Sequence, residues 1–200
     1  MTEQWKILKS ELIFEAQPWL KLSKETVQLP DGKIISDFYQ IEQRDCVEVV
    51  ASNRDKKILG LWHYKHGVKR EHLGLPAGYI DQGELAFDAA KRELAEECQL
   101  QSNDWKELGV FNLEGNRGPA KGYLYLAENC EISPVKLPSD DLEISRFEWL
   151  SMHEWLEHVR NGNVAVMSAA LAILLASQIL IPFTSALCAG GEDEGGEGVK

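Results

Sequence analysis

The chain's hydrophobic and polar positions change character four times, and each change predicts a different element. In the first 45 residues, apolar and polar residues mix in short runs that read as strands: Trp5 to Leu8, Glu11 to Ala16, Lys21 to Leu29 and Lys33 to Glu42. Pro30-Asp31-Gly32 separates the last two as a turn, with Pro presetting φ and Gly accepting a positive one. Next, Cys46 to Ser52 is almost wholly apolar and reads as a central strand, followed by Lys57 to Lys65. The period then becomes helical, because Phe87, Ala90, Leu94 and Cys98 form one apolar stripe at about 100° per residue.

Beyond that helix, Lys106 to Leu113 and Gly122 to Cys130 read as strands joined by the loop EGNRGPAK, and Arg146 to Leu150 as a further strand. Ser151 with Glu154 is a capping box opening a helix that runs to about Arg160 and stops at Asn161-Gly162. A last helix begins near Asn163. The stretch HGVKREHLGLPAG before the first helix reads as a basic, turn-rich approach, and LPSDDLE (137–143) as an acidic loop. This order predicts an α+β (mixed α/β) layered fold with helices on both sides of a sheet. Isolated hairpins are marginal in water, so the N-terminal strands must pack on their own domain or on a second copy of the chain.

Composition narrows the partners. A formal net charge of −11 with no long Lys or Arg run argues against a nucleic-acid backbone. Cys46, Cys98, Cys130 and Cys188 are scattered, with no CxxC and no His at ligand spacing, so reduced thiols in the cytoplasm are expected rather than zinc or disulfides. No secretory signal pattern opens the chain. Val164 to Leu187 is apolar over a spanning length, but Ser168, Ser177, Gln178 and Pro182 interrupt it and no basic cluster flanks it, so it reads as a core helix rather than a membrane span. The tail is rich in Gly and acid and reads as disordered. The expected divisions are therefore residues 1–44, a main domain over 45–186, and the tail 187–200.

The chemistry concentrates between Gly78 and Leu100. Glu93, Glu96 and Glu97, at spacing i, i+3, i+4, lie on one side of a helix, where like charges repel. Arg92 is the nearby basic residue, and a cation is the natural further partner. Ala86 and Ala89 are small, which is expected to leave room above the helix for a ligand. Five residues lead from Gly78 to Glu84, seven more to Arg92, and then Glu93, Leu94, Ala95, Glu96, Glu97, Cys98, Gln99 and Leu100 follow. This resembles the signature of the Nudix hydrolases, Gly-x5-Glu-x7-Arg-Glu-aliphatic-x-Glu-Glu-x-Gly-aliphatic. Gln99 departs from it, standing where the pattern has Gly; a Gln in the left-handed conformation there costs on the order of 1 kcal/mol.

The resemblance implies an α/β/α sandwich with a small N-terminal β-rich subdomain. The flanking segments look like the ADP-ribose pyrophosphatase branch, which cleaves nucleoside diphosphate sugars. In that branch the resemblance makes Glu93, Glu96, Glu97 and the backbone carbonyl of Ala77 ligands for Mg²⁺, with Mn²⁺ as a substitute. It makes Arg92 the residue that orients the glutamates, and it places a general base on the late acidic loop, Glu143 first and Asp141 second. Lys65, Arg70 and Arg117 offer charge for a metal-bound anion, and Tyr39 a surface for stacking. Gly74 departs from the branch, whose members often carry Glu there, which weakens an assignment to ADP-ribose in particular. A homodimer with a site built by both chains is also implied. The alternatives are a hydrolase of nucleoside triphosphates or dinucleoside polyphosphates, and a nucleotide-sugar-binding regulator without turnover.

Overall fold

The computed structural model describes residues 4–118, 120–135 and 146–181. Three strands come first: β1 (Lys6–Ala16), β2 (Leu20–Gln28) and β3 (Ile34–Glu42), an antiparallel sheet in that order. The two short runs expected over residues 5–16 are one strand of 11 residues, with register irregularities at Ile7/Lys9 and Leu12/Phe14. Bulges of this kind let a strand twist without ending.

The main body holds β4 (Cys46–Ala51), β5 (Ile58–Lys65), β6 (Arg70–Gly74) and β7 (Ala77–Tyr79), then α1 (Ala86–Cys98). Four more strands follow: β8 (Leu100–Gln101), β9 (Asp104–Asn112), β10 (Lys121–Glu128) and β11 (Glu131–Ile132). β12 (Arg146–Leu150), α2 (Met152–Arg160) and α3 (Met167–Leu180) close it. A mixed sheet runs β7-β4-β10-β9, with β4 and β10 parallel; an antiparallel sheet runs β12-β5-β6, and β8 pairs with β11. The basic segment expected as a loop therefore contains two strands. His63 pairs with His72 and Lys65 with Arg70, so a tight β5–β6 hairpin turns at residues 66–69.

Side-chain alternation along β4 divides the core in two. Val47, Val49 and Ala51 pack in a cluster with Ala89, Ala90 and Leu94 of α1, whereas Val50 joins the cluster of Trp155 on α2 and Ile173 on α3. The sheet thus lies between helices, as the element order predicts. Ala89 is fully buried in this core, so it leaves no room for a ligand; the open side of α1 is elsewhere. Phe87, at the exposed end of the stripe, sets its ring edge-on to Trp105 at 5.5 Å.

The capping box is present: Glu154 N donates to Ser151 Oγ, and Ser151 N donates to Glu154 Oε2 at 2.7 Å. α3 starts at Met167, because Asn163 is occupied otherwise: its carbonyl accepts from Leu73 N at 2.9 Å, tying the α2–α3 link to β6. No helix among the described residues is long and apolar enough to cross a membrane. Cys46, Cys98 and Cys130 carry free thiols, and burial pushes Cys46 up to about 11 and Cys130 up to about 12.

Candidate active site

β7 delivers the segment that faces the acidic helix. Gly78 is required there: a Cβ on it would fall on the carboxyl group of Glu93. Nearer the helix, Gly83 takes φ +83°, which lets the chain reverse into α1. At the other end Gln99 adopts φ 53°, ψ 37°, the left-handed C-cap that the sequence predicts, and its amide donates to Ala95 O.

Arg92 gathers the carboxylates. Its Nε and Nη2 grip Glu84 at 2.9 and 3.0 Å, its Nη1 reaches Glu93 at 2.7 Å and Glu96 at 3.0 Å, and its Nη2 also donates to Tyr79 O. Glu84 accepts in turn from Asp81 N at 3.0 Å, so the loop before α1 is locked to the helix. The bidentate guanidinium holds Glu84 below the usual carboxylate range, and Glu84 above all raises Arg92. Glu93 behaves oppositely: burial pushes it up, opposed by Arg92. Glu97 accepts from Ala77 N at 3.0 Å. Arg92, Glu93, Glu96, Glu97 and Ala77 are thus brought together, with one guanidinium shared by Glu84, Glu93 and Glu96. Among the described residues, no three acidic, His or Cys side chains stand close enough together to cage an ion on their own.

The segment Ala77–Tyr79 also walls a cavity of about 350 Å³, lined further by Glu48, His63, Lys65, His72 and Ser168. Lys65 is therefore brought to the cavity that the ligand segment walls. Arg70, paired with Lys65 across the hairpin, spends its Nη2 on Gly162 O at 2.7 Å. Arg117 lies on the β9–β10 loop, where its carbonyl accepts from Ile41 N at 3.2 Å, and Tyr39 is exposed on β3 opposite Lys24. The Ile41 bond ties the N-terminal sheet to the main body, and neither Arg117 nor Tyr39 enters the cavity lining. Glu143 and Asp141 lie outside the described residues.

Sequence reasoning missed Glu48, His63, His72 and Ser168. Burial pushes the Glu48 carboxyl up to about 7, while a hydrogen bond from Ser168 and the charge of Lys65 oppose the shift. The signal was a single Glu in the apolar run CVEVVA, the kind of residue a central strand does not carry without a use for it. Gly74 is explained too: the room a side chain would need is held by His63, whose Nε2 would stand 2.8 Å from a Cβ.

This geometry agrees with the comparisons with known proteins. The profile of the NUDIX domain matches residues 42–171, and that of the nucleoside diphosphate sugar hydrolase N-terminal domain matches residues 5–41. The chain belongs to the Nudix family and is a pyrophosphohydrolase. It is 24% identical over 168 residues to the methanol dehydrogenase activator of Bacillus methanolicus, covering 84% of this chain and 90% of that one. It is 28% identical over 157 residues to the ADP-ribose pyrophosphatase of Mycobacterium tuberculosis, covering 78% and 74%. Its fold matches a crystal structure of an ADP compounds hydrolase with a TM-score of 0.78 at 19% identity, over 90% of this chain and 96% of that chain.

Proposed function

We propose that the protein hydrolyses the diphosphate bond of nucleoside diphosphate sugars, ADP-ribose or a relative such as GDP-mannose, to a nucleoside monophosphate and a sugar phosphate. The observation that carries this is the clamp of Arg92 on Glu84, Glu93 and Glu96 beside an Ala77 amide already bonded to Glu97. It presents hard oxygen donors against the Ala77–Tyr79 segment that walls the cavity. The match of the N-terminal profile supports a diphosphate sugar over a triphosphate.

The donor set suits a hard divalent cation, since all its members are oxygens and the buried Glu93 lacks full compensation from Arg92 alone. Glu93, Glu96, Glu97 and the Ala77 carbonyl would hold Mg²⁺, with Mn²⁺ as a substitute. When bound, such an ion neutralises the diphosphate and activates water. Arg92 keeps the glutamates from turning away, and Lys65 attracts the anionic substrate. Glu143, or else Asp141, takes the proton from the attacking water; Glu143→Gln is expected to cut the rate about 10²-fold. A change of only a few-fold would move the role to Asp141.

A homodimer is the expected form, supported by β1, which exposes Ile7, Leu12 and Phe14 to solvent. Light scattering giving a monomer mass would remove that part. Free thiols support a cytoplasmic setting. The substrate reading is tested by following phosphate release, through a coupled phosphatase, from ADP-ribose, GDP-mannose, UDP-glucose, diadenosine polyphosphates and nucleoside triphosphates. Turnover confined to triphosphates or dinucleotides would overturn it.

A further inference from the structure

The cavity behind Ala77 contains a buried carboxyl that the hydrolytic cluster does not use. Glu48 is 7% exposed, and its neighbours on β4, Val47, Val49 and Val50, are fully apolar and buried. A carboxyl placed there costs stability unless it is hydrogen-bonded. Ser168, on the first turn of α3, supplies one such bond, and Lys65 supplies charge from the β5–β6 hairpin. His63 and His72, with ring centroids 4.9 Å apart and both buried, complete a wall of polar groups. Four separate elements thus converge on one cavity with groups that hydrogen-bond.

The position of this cavity relative to the glutamates identifies its occupant. Glu48 is the register partner of Ala77, so the two side chains share a face of the sheet, while the Ala77 amide is bonded to Glu97 of α1. Ala77 and Gly78 wall the cavity while Gly78 also packs on the Glu93 carboxyl, so a substrate whose diphosphate lies over the glutamates presents to this cavity whatever is joined directly to a phosphate. In a nucleoside diphosphate sugar both such groups are sugars, and the base stands one ribose further out. At about 350 Å³ the space is at the small end for ligand sites, and it suits one ring rather than a whole nucleotide. At the Tyr79 side of the same cavity, which Arg44 also lines, the Arg44 guanidinium lies 4.4 Å from the Tyr79 ring centroid, a stacked pair better suited to a base.

We propose that the cavity is a sugar subsite in which Glu48, oriented by Ser168, accepts hydrogen bonds from hydroxyls of the ring and sets the enzyme's choice of sugar. This rests on the diphosphate sugar reading above. Glu48 is a specificity-determining residue here, and it takes no part in proton transfer to the diphosphate.

The test is steady-state kinetics of the full chain and of Glu48→Gln and Ser168→Ala, each checked by thermal melting. Three substrate sets are used: ADP joined to ribose, glucose or mannose; glucose joined to ADP, GDP or UDP; and the methyl ester of ADP, which has no sugar at that end. Glu48→Gln is expected to lower kcat/KM about 10- to 100-fold on the sugars, mostly through KM, and to re-rank the first set. The methyl ester should change less than about 3-fold. Equal losses on the methyl ester, or re-ranking that follows the base, would overturn the subsite while leaving the diphosphate reading intact. No turnover of any diphosphate sugar by the unaltered enzyme would overturn both. Should Glu48→Gln fail to fold, Ser168→Ala and competitive inhibition of the unaltered enzyme by free sugar phosphates carry the same decision. Inhibition as strong by inorganic phosphate as by the sugar phosphates would contradict it.

Discussion

The amide of Ala77 donates to Glu97 Oε2 at 3.0 Å, joining the end of an edge strand to the far end of the helix that begins at Ala86. This bond fixes the glutamate and holds Ala77 against the helix, so the ligands proposed for the ion are positioned before any ion arrives. Glu97→Gln keeps the shape and removes the charge. It should weaken Mn²⁺ binding by calorimetry and lower turnover at least about 10²-fold, with melting little changed. Unaltered metal affinity would place the site elsewhere.

Gly78 and Glu93 form the second contact of that junction. A methyl group at Gly78 meets the Glu93 carboxyl, which is itself buried and cannot move outward without leaving Arg92. Gly78→Ala should cost about 1–3 kcal/mol by chemical denaturation and reduce activity together with it. Gly115, where an added methyl would meet nothing within 4 Å and φ is not positive, is the control expected to be neutral.

Gln99 stands in the left-handed region at φ 53°. Gln99→Gly relieves that strain and should raise stability by about 1 kcal/mol, or about 2–4 °C in Tm, with activity unchanged. A lower Tm would mean that the Gln side chain makes a compensating contact.

Glu128 gives the pH dependence. It is buried at the end of β10, paired with Lys106 and, at 2.8 Å, with Lys56, and these hydrogen bonds hold it below its ordinary value of 4.5. Because the folded value is depressed, its stabilisation is complete above pH 4.5 and is lost as the pH falls through the folded value. Both lysines are about half-exposed, so screening limits the effect to about 1 kcal/mol. Glu128→Gln should therefore be less stable than the unaltered protein at pH 7, and the two should converge as the pH falls through the depressed value of Glu128. A gap that stays constant with pH would contradict the assignment.

The acidic helix was legible because its chemistry is local. Spacing along 78–100 fixes which carboxylates share a face, and Arg92, Glu93, Glu96 and Gln99 stand as that spacing requires. The capping box at Ser151 was legible for the same reason. What spacing does not carry is contact between distant strands. β6 and β7 were hidden in a segment whose Gly and Pro read as turns, since their partners, β5 and β4, lie elsewhere in the chain. Ala89 read as a small residue beside a ligand, yet the sheet covers it. The cavity joining Glu48 to His63, His72 and Ser168 draws on four elements, and only the anomalous Glu within β4 marked it.

Whether the glutamates of α1 work through a divalent ion is decided by the hydrolysis of ADP-ribose by enzyme stripped with chelator, as Mg²⁺ is returned. The expected result is no turnover without the ion, a saturable return of activity, and AMP and ribose 5-phosphate in equal amounts. Turnover that survives chelation, or full metal-restored activity in a variant lacking the Glu93, Glu96 and Glu97 carboxylates, would contradict it.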